Sequence, residues 1–173
     1  MATDEPPLQE PNRRVQNALR AAGVAARVRV LPVSTATAEE AARAVGCPLG
    51  AIIKSLLFLA EGQPVLVLAC GDRQVDSAKL AQALGVGRKR VKMADAEAVF
   101  AHTSFRVGGV PPVGHPRELP TYADSAIDRF AEVYAAAGTA NALFGISPGD
   151  LLRITDGRLA DIARERPHGT PAA

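Results

Sequence analysis

The sequence predicts a mixed α+β fold, with a curved, mixed β-sheet and flanking helices. Short apolar runs with strand spacing are interspersed with segments that carry one helical apolar stripe, and they follow no strict strand–helix–strand rhythm. Hydrophobic residues make up 47% of the 173 residues, which is enough for a sizeable core. Because aromatic residues account for only 4%, this core is expected to consist mainly of Ala, Val and Leu.

A single domain over residues 12–166 is expected, with a short tail at each end. The length of 173 residues is typical of one domain. Residues 1–11 are polar and acidic with three prolines, and residues 167–173 show no apolar period, so both segments are predicted to be flexible.

The first predicted helix and strand follow the N-terminal tail. Asn12 is the expected N-cap of a helix over residues 13–22, where apolar residues recur at helical spacing and Gly23 ends the stripe. In residues 26–33 valines alternate with arginines, which predicts a half-buried strand.

A second helix and a hairpin come next. Thr37 and Glu40 have the spacing of a capping box, which predicts a helix that ends at Gly46. Residues 51–60 and 64–70 are apolar runs separated by a short polar turn, and this pattern predicts two antiparallel, largely buried strands.

The second half is predicted to combine short helices and strands. Helices are expected over residues 77–84 with Asp76 or Ser77 as N-cap, over 95–101, and over 148–154 with Ser147 as N-cap. Strands are expected over residues 91–94, 119–123, 132–137, 140–146 and 158–163. In the middle helix, Val99 and Phe100 are expected to face inward.

Residues 106–120 interrupt this pattern. The stretch Val107–Pro116 is so dense in glycine and proline that it cannot form regular structure, and an ordered loop with special backbone angles is predicted. Two interpretations of this loop are balanced on spacing alone. Paired glycines allow the backbone to approach a ligand closely, and the same loop would also serve as a crossover between two parts of the sheet.

Lys54 is the most unusual residue of the predicted strands. It stands in a run that is otherwise apolar except for Ser55, and burial of an unpaired ammonium costs several kcal/mol. A lysine here either has a compensating role or points outward, since neighbouring strand residues face opposite sides of a sheet. The residue pattern by itself favours the outward orientation.

Other candidate chemistry is sparse. Cys47 and Cys70 lack metal-like spacing and are expected to be small buried hydrophobes. His115 is interpreted as a surface residue of the loop, and Asp124 as a turn former that caps the residues after it. The sequence contains no metal constellation, cofactor motif or nucleophile motif, so neither a metal nor a cofactor is expected.

Charge and hydropathy limit the partners. The net charge of +2 is too small to mark a nucleic-acid binder, so any such contact would be local, for example at the patch formed by residues 88–90 and Lys92. DNA is not expected as a partner. The sequence has neither a signal-peptide pattern nor an apolar run of membrane-spanning length, so a soluble, cytoplasmic protein without a membrane partner is expected.

Three separated motifs, taken in order, resemble the YbaK/EbsC family. They are the strand around Lys54, the loop Val107–Gly114 and the segment Glu132–Gly138, within a resemblance that extends over residues 29–163. Several motifs in one order are more specific than a single short pattern. This family shares its domain with the editing insertion of bacterial prolyl-tRNA synthetases and with free-standing ProX-type deacylases. The resemblance therefore implies their fold, and hydrolysis of the ester that joins a mischarged amino acid to the 3′ adenosine of tRNA.

The resemblance also implies the site residues. Lys54 occupies the place of the family's signature lysine. The pocket for the aminoacyl group is expected to be lined by Ser55, by the loop that the family writes Gly-x-x-x-Pro and that reads here Gly108, Gly109, Val110, Pro111 and Pro112, and by Gly138.

As the resemblance implies, the reaction needs no protein nucleophile. Water attacks the ester carbonyl with help from the substrate's own ribose hydroxyl, and positioning with charge stabilisation can suffice for such an activated ester. Lys54 would hold the terminal phosphate or neighbouring polar atoms as a point charge, while main-chain amides of the loop orient the carbonyl or amine. The expected partner is the 3′ end of aminoacylated tRNA, and an aminoacyl-tRNA synthetase is a further candidate.

Departures from the family pattern bear on the substrate. Ser55 stands where some relatives have Thr or Asn, and Pro111 replaces a smaller residue found in some members. Residues 141–144 stand where Cys-tRNA editors carry an acidic residue and contain none. A small amino acid such as Ala, Ser or Cys is hypothesised, although a pocket separates substrates that differ by one methylene by only about 1–3 kcal/mol. Two other classes fit the same features: a non-catalytic module that binds tRNA or a synthetase, and a hydrolase of another acyl ester or nucleotide conjugate.

Overall fold

The computed structural model describes residues 7–167. Within this range the helices are α1 (Glu10–Ala21), α2 (Ala38–Val45), α3 (Ser77–Leu84), α4 (Ala96–Thr103) and α5 (Pro148–Thr155). Short 3₁₀ turns cover Leu49–Ala51, Arg88–Arg90 and Ser125–Arg129. Residues 1–6 and 168–173, which belong to the two predicted tails, lie outside the described residues.

The strands are β1 (Arg29–Val30), β2 (Ile52–Ala60), β3 (Gln63–Cys70), β4 (Arg73–Val75), β5 (Val91–Met93), β6 (Thr121–Asp124), β7 (Val133–Ala136), β8 (Ala142–Ile146), β9 (Arg158–Ala160) and β10 (Ala163–Glu165). All but β4 and β10 form one eight-stranded sheet in the order β1-β8-β7-β2-β3-β6-β9, with β5 also beside β2. β2 is parallel to β7 and antiparallel to β3 and β5. The mixed sheet with flanking helices is therefore confirmed.

Helices cover both faces of the sheet. α1, α4 and α5 pack on the face that Ile53 and Leu57 of β2 share. α2 packs on the opposite face against Ile52, and α3 packs there against Phe58. Because strand residues alternate between faces, Lys54 lies on the face of α2 and α3.

The two edges of β2 differ in their pairing. On one edge, β3 pairs with β2 from Ile53 to Ala60. On the other edge, β7 pairs only with Ile52 and Ile53, and β5 pairs only with residues 58–60. Residues 54–57 therefore face a gap between β7 and β5.

Local sequence signals produce the expected turns and caps near this gap. Thr37 Oγ1 accepts a hydrogen bond from the Glu40 amide at 3.1 Å, and Glu40 Oε2 accepts one from the Thr37 amide at 3.2 Å, so the capping box is confirmed. Gly46 ends α2 with a φ of 70°. The β2–β3 hairpin turns through Glu61 and Gly62, whose φ angles of 51° and 79° suit a tight two-residue turn.

The start of α1 differs from the prediction. The helix begins at Glu10 with Gln9 as its N-cap, so the predicted tail boundary at residue 11 falls inside a helix. Asn12, the predicted N-cap, is a buried helical residue, 1% exposed. Its amide donates to the carbonyl of Ala137 at 2.8 Å, a contact that sequence spacing does not reveal.

Three further expectations were wrong in detail. The predicted strand over residues 26–33 shortens to β1, whose two residues are exposed and pair only with β8. The predicted strand over residues 158–163 divides into β9, which pairs with β6, and β10, which pairs with β4. Phe100 is 48% exposed, because α4 turns Val99 rather than Phe100 toward the core.

Candidate active site

A cavity of about 250 Å³ occupies the gap beside β2. Its walls come from β2, the ends of β5 and β7, the segment that leads into α2, α4 and the Gly-rich loop. Its polar side chains belong to Thr35, Thr37, Lys54, Ser55 and Tyr134. Its apolar walls include Ala38, Ala41, Met93, Val99, Val107, Val110, Ala135, Ala136 and Leu143.

Lys54 borders this cavity. Its side chain is partly buried, and its ammonium donates to the main-chain carbonyl of Arg73 at 3.2 Å. Among residues 7–167, no carboxylate oxygen lies within 4.0 Å of this ammonium. The residue pattern alone favours a solvent-facing lysine, whereas the structure places Lys54 at the wall of a cavity.

The charges around Lys54 are engaged with other partners. Glu39 of α2 pairs with Arg166 at 2.9 Å, and the same guanidinium donates to the carbonyl of Gly71 at 2.9 Å. Burial is the main cause that lowers the pKa of Lys54, and the charge of Arg166 lowers it further, whereas Glu39 and Asp72 raise it. An anionic ligand would offset the burial of this cation.

Ser55 presents unused polar groups to the gap. Its hydroxyl oxygen is buried and has no hydrogen-bond partner among the described residues. The Gly71 amide donates to the Ile52 carbonyl, so even-numbered residues of β2 bond to β3 and odd-numbered residues direct their main-chain groups to the other edge. Leu57 follows this rule, since its carbonyl accepts from Ala94 at 2.9 Å. The amide and carbonyl of Ser55 therefore face the gap.

The Gly-rich loop contributes Gly108 and Val110 to the cavity wall. Gly108 has a φ of 96°, a conformation that side chains disfavour, so glycine is needed at this position. Val110 is 8% exposed and belongs to the main core, which fixes the loop against the sheet. The structure agrees with both interpretations of the loop, because the loop crosses between elements of the fold and also forms a wall of the cavity.

Gly109 and Gly138 lie outside the cavity lining within the described part of the chain. The amide of Gly138 donates to the carbonyl of Gly109 at 2.9 Å. A Cβ on Gly109 would lie 2.8 Å from the backbone of Thr139, and one on Gly138 would lie 2.8 Å from the carbonyl oxygen of Pro11. Backbone packing that anchors the loop therefore accounts for both glycines, and their direct contact with a substrate stays a prediction.

Pro111 and Pro112 are likewise outside the described lining of this cavity. Pro112 lines a wider polar cleft of about 790 Å³ between the loop, α1 and the end of α5. The Pro111 carbonyl oxygen lies 2.8 Å from Nε2 of His115, whose ring meets that of Phe105 edge-on. His115 is half-buried rather than a plain surface residue, and burial lowers its pKa.

The segment that leads into α2 is a part of the cavity that sequence reasoning missed. Thr35 and Thr37 both line the cavity. The main-chain amide of Thr35 donates to the Ala140 carbonyl at 2.7 Å, and the side-chain Nδ2 of Asn141 donates to the Leu31 carbonyl at 3.1 Å, so the segment is held against the start of β8. The capping box identifies Thr37 as a helix cap but gives no sign that it borders a cavity.

Asp124 also has a role that the sequence did not indicate. It is fully buried and pairs with Arg73 at 2.9 Å, while Arg73 also donates to the carbonyl of Ala163 at 3.0 Å. Its expected cap is confirmed as well, since Oδ1 accepts from the Ala126 amide at 3.1 Å. The main-chain carbonyl of Arg73 accepts the hydrogen bond from Lys54. The Arg73–Asp124 ion pair therefore fixes the residue that positions the Lys54 ammonium.

The cavity offers binding groups rather than a nucleophile with its base. Its described lining contains no His, Cys, Asp or Glu. Lys54 and Ser55 project to opposite faces of β2, so they are not placed to act as a Ser–Lys pair. A cation, an unpartnered hydroxyl, main-chain groups and a small apolar chamber are suited to binding and orienting a polar ester.

The cysteines add no chemistry to this site. Cys70 is fully buried, and burial, followed by the charge of Asp124, raises its pKa to about 11. Cys47 is only partly buried, in contrast to the expectation. Among residues 7–167, no three metal-ligating side chains gather, and no helix is long and apolar enough to cross a bilayer.

Comparison with known proteins relates this arrangement to a family. The model of the family described as "Aminoacyl-tRNA editing domain" matches residues 33–154. The uncharacterized protein YwhH of Bacillus subtilis (strain 168) is 35% identical over 119 residues, which cover 68% of this chain and 74% of that protein. A proline–tRNA ligase of Desulfovibrio desulfuricans is 33% identical over 120 residues, which cover 69% of this chain and 20% of the ligase. The chain therefore matches only about a fifth of that ligase.

Solved structures extend the likeness beyond the region of the family model. A crystal structure named "putative trans-editing enzyme for prolyl tRNA synthetase" has a TM-score of 0.86 at 42% identity, over 91% of this chain and 99% of that chain. The crystal structure of hypothetical protein APE2540 has a TM-score of 0.81 at 30% identity, over 87% of this chain and 99% of that chain.

Proposed function

The chain belongs to the YbaK-like family of aminoacyl-tRNA editing domains, and on this premise we propose that it is a trans-editing deacylase. Its reaction is hydrolysis of the ester between a mischarged amino acid and the 3′ adenosine of tRNA. The likeness to the structure named as a putative trans-editing enzyme, over 91% of this chain at 42% identity, supports this proposal. An aminoacyl-tRNA synthetase is a further candidate partner.

One observation carries the proposal: the open edge of β2 combines a cation with unused hydrogen-bonding groups in a small chamber. Lys54 lies on one face of the strand and the Ser55 hydroxyl on the other. The main-chain groups of Ser55 face the gap between β5 and β7. An aminoacyl ester on a nucleotide requires the same combination. It has a phosphate, a polar ester and a side chain that must be accommodated.

The reaction follows from this placement. The Lys54 ammonium binds the 3′-terminal phosphate or a neighbouring polar group as a point charge. The main-chain amide of Ser55 is a donor for the ester carbonyl oxygen, where negative charge develops. Water, oriented by the ribose hydroxyl of the substrate, adds to the carbonyl carbon, and the bond to the ribose oxygen breaks. The products are the free amino acid and a tRNA with a free terminal hydroxyl.

A small amino acid is the proposed substrate. The cavity volume of about 250 Å³ lies below the range of about 300–1,000 Å³ that is common for drug-sized ligands. Its wall from β7 contains the small residues Ala135 and Ala136 beside Tyr134. The Ser55 hydroxyl lacks a partner, so a substrate with a hydroxyl or thiol would satisfy it, which favours Ser or Cys over Ala.

The test uses purified tRNAs that carry different amino acids, with the wild-type chain and two matched lysine variants. Lys54→Ala removes the cavity cation, whereas Lys79→Ala removes a lysine that pairs with Asp161 at the surface. Hydrolysis of at least one small aminoacyl ester should be lost in Lys54→Ala and retained in Lys79→Ala. If the wild-type chain binds the tRNAs but hydrolyses none, the chain is a binding module, and equal rates in all three proteins would exclude Lys54 from the reaction.

A further inference from the structure

Two exposed apolar side chains line the cavity, and a third, Phe100, directly follows the lining residue Val99 on α4. Met93 and Val107 line the opening and are 55% and 65% exposed. Phe100 of α4 is 48% exposed, and the guanidinium of Arg106 lies over its ring, 5.2 Å from the centroid. Arg106 precedes Val107 in the chain, so it connects the aromatic ring to the cavity wall. These four residues, Met93, Phe100, Arg106 and Val107, form the rim.

The rim lies within a basic segment. Residues 88–107 contain five Lys or Arg residues and two acidic residues, Asp95 and Glu97. The Asp95 carboxylate is engaged as the N-cap of α4, where it accepts from the Ala98 amide at 2.8 Å. Lys92 directly precedes Met93 and is exposed, and it makes no ion pair within 4.0 Å among the described residues.

We infer that the rim binds the single-stranded 3′ end of the RNA, namely the nucleotides that precede the acylated adenosine. The inference rests on the proposed function, because an ester held in the cavity places the terminal nucleotide at the cavity mouth. The preceding nucleotides then cross the rim.

The chemistry of the rim matches this ligand. Unpaired bases stack on aromatic rings and on guanidinium planes, and Phe100 with Arg106 offers both. Met93 and Val107 extend the apolar surface toward the cavity. Phosphates between the bases would meet Lys92, which has no carboxylate partner among the described residues. Lysine is depleted at protein–protein interfaces, so the exposed Lys92 next to Met93 favours RNA over a protein partner.

The experiment separates the rim from the cavity by the length of the substrate. The variant Phe100→Ser is compared with Leu159→Ser, which changes an exposed apolar residue of β9 on another part of the sheet. Each protein is assayed with an aminoacyl-tRNA and with the same amino acid esterified to adenosine alone. A thermal melt of each variant shows that it remains folded.

Phe100→Ser should lose about tenfold in kcat/KM on the aminoacyl-tRNA, mainly through KM, since stacking of one base contributes that much. Its kcat/KM on the adenosine ester should stay within about twofold of wild type, because that ester has no preceding nucleotides. Leu159→Ser should change neither value. Equal losses on both substrates, or no loss on the aminoacyl-tRNA, would overturn the inference.

A second pair of variants tests the cationic part of the rim. Arg106→Ala should reduce both the binding of uncharged tRNA and its dependence on salt, whereas Arg117→Ala, outside the rim, should leave both unchanged. The comparison includes a tRNA that lacks its single-stranded 3′ end. If the wild-type chain hydrolyses no ester, the proposed deacylase activity fails, and the rim is then judged by binding alone. Tighter binding of the complete tRNA that is lost in Arg106→Ala supports the rim, and equal binding of both tRNAs refutes it.

Discussion

Arg73 and Lys54 are neighbouring cations with different surroundings. The guanidinium of Arg73 pairs with the fully buried Asp124 at 2.9 Å and donates to the carbonyl of Ala163 at 3.0 Å. The ammonium of Lys54 donates to the carbonyl of Arg73 at 3.2 Å and, within residues 7–167, has no carboxylate within 4.0 Å. The neutralised cation connects β4, β6 and β10. Lys54 has no such carboxylate partner in the described part of the chain and is therefore able to bind an anionic ligand.

Two buried hydroxyl groups repeat this contrast. Thr103 Oγ1 donates to the carbonyl of Val99 at 2.7 Å and accepts from the Phe105 amide at 3.1 Å. Ser55 Oγ, beside the cavity, has no partner among the described residues. Of these two hydroxyls, the one that is satisfied by the fold belongs to its framework, whereas the unsatisfied one lies at the open edge of β2. The difference between framework and site is therefore a difference in hydrogen bonding, not in residue type.

The largest expected effect comes from breaking the Arg73–Asp124 pair. Asp124→Ala leaves the Arg73 guanidinium without its carboxylate, and loss of one partner of a buried pair costs about 3–5 kcal/mol of the free energy of unfolding. Denaturant unfolding measures this loss. Asp161→Ala is the control, since it breaks the exposed pair with Lys79 and should cost at most about 1 kcal/mol. Similar losses in both variants would show that Asp124 is not part of the framework.

Removal of the other cation should affect activity rather than stability. Lys54→Met keeps the apolar stem and removes a partly buried ammonium that has no carboxylate partner within the described residues. The free energy of unfolding is expected to stay constant or to rise, while deacylation falls by about 10–10² because the charge that binds the terminal phosphate is lost, and a hydrogen bond to a charged group contributes about 1.5–3 kcal/mol. Unfolding and hydrolysis are measured on the same preparation. Destabilisation as large as that of Asp124→Ala would place Lys54 in the framework and remove the contrast.

Sequence reasoning succeeded where the determining contacts are local. Thr37 and Glu40 are three residues apart, and their mutual hydrogen bonds follow from that spacing alone. The β2–β3 hairpin is likewise set by two apolar runs and the turn between them. For the site residues, the resemblance to a family placed Lys54, which the residue pattern by itself assigned to the surface.

The gap in the sheet could not be predicted in this way. It depends on where β5 and β7 stop pairing with β2, and both strands are far from β2 in the chain. Asn12 was misread as an N-cap, and the ion pair of Asp124 was missed, for the same reason, since their partners Ala137 and Arg73 lie 125 and 51 residues away. Buried polar residues with distant partners carry no local signal, so they resemble ordinary caps and turn formers.

The two hydroxyl groups allow a finer test. Thr103→Val removes a hydroxyl that makes hydrogen bonds within the core and should cost about 1 kcal/mol of the free energy of unfolding. Ser55→Ala removes a buried hydroxyl without a partner, so stability should be unchanged or rise by up to about 1 kcal/mol. The same variant should hydrolyse seryl and cysteinyl esters less well relative to the alanyl ester. Equal destabilisation in the two variants would indicate that Ser55 has a partner in solution.

The smallest expected effect is a pH dependence that separates the two roles of Lys54. Burial lowers the pKa of Lys54 below its ordinary value of 10.5, so between these two values the unfolded chain binds more protons than the folded chain. The stability of wild type relative to Lys54→Met should therefore rise with pH in this window, by less than about 1.4 kcal/mol per pH unit because the side chain is only partly buried. Over the same window kcat/KM, after subtraction of spontaneous ester hydrolysis, should fall because the ammonium is lost. Since Lys54→Met lacks this group, parallel stability curves for the two proteins would show that the proton does not come from Lys54. If stability rises with pH while kcat/KM falls, both effects are assigned to Lys54. Its protonated form then destabilises the fold and is also the form that the reaction requires.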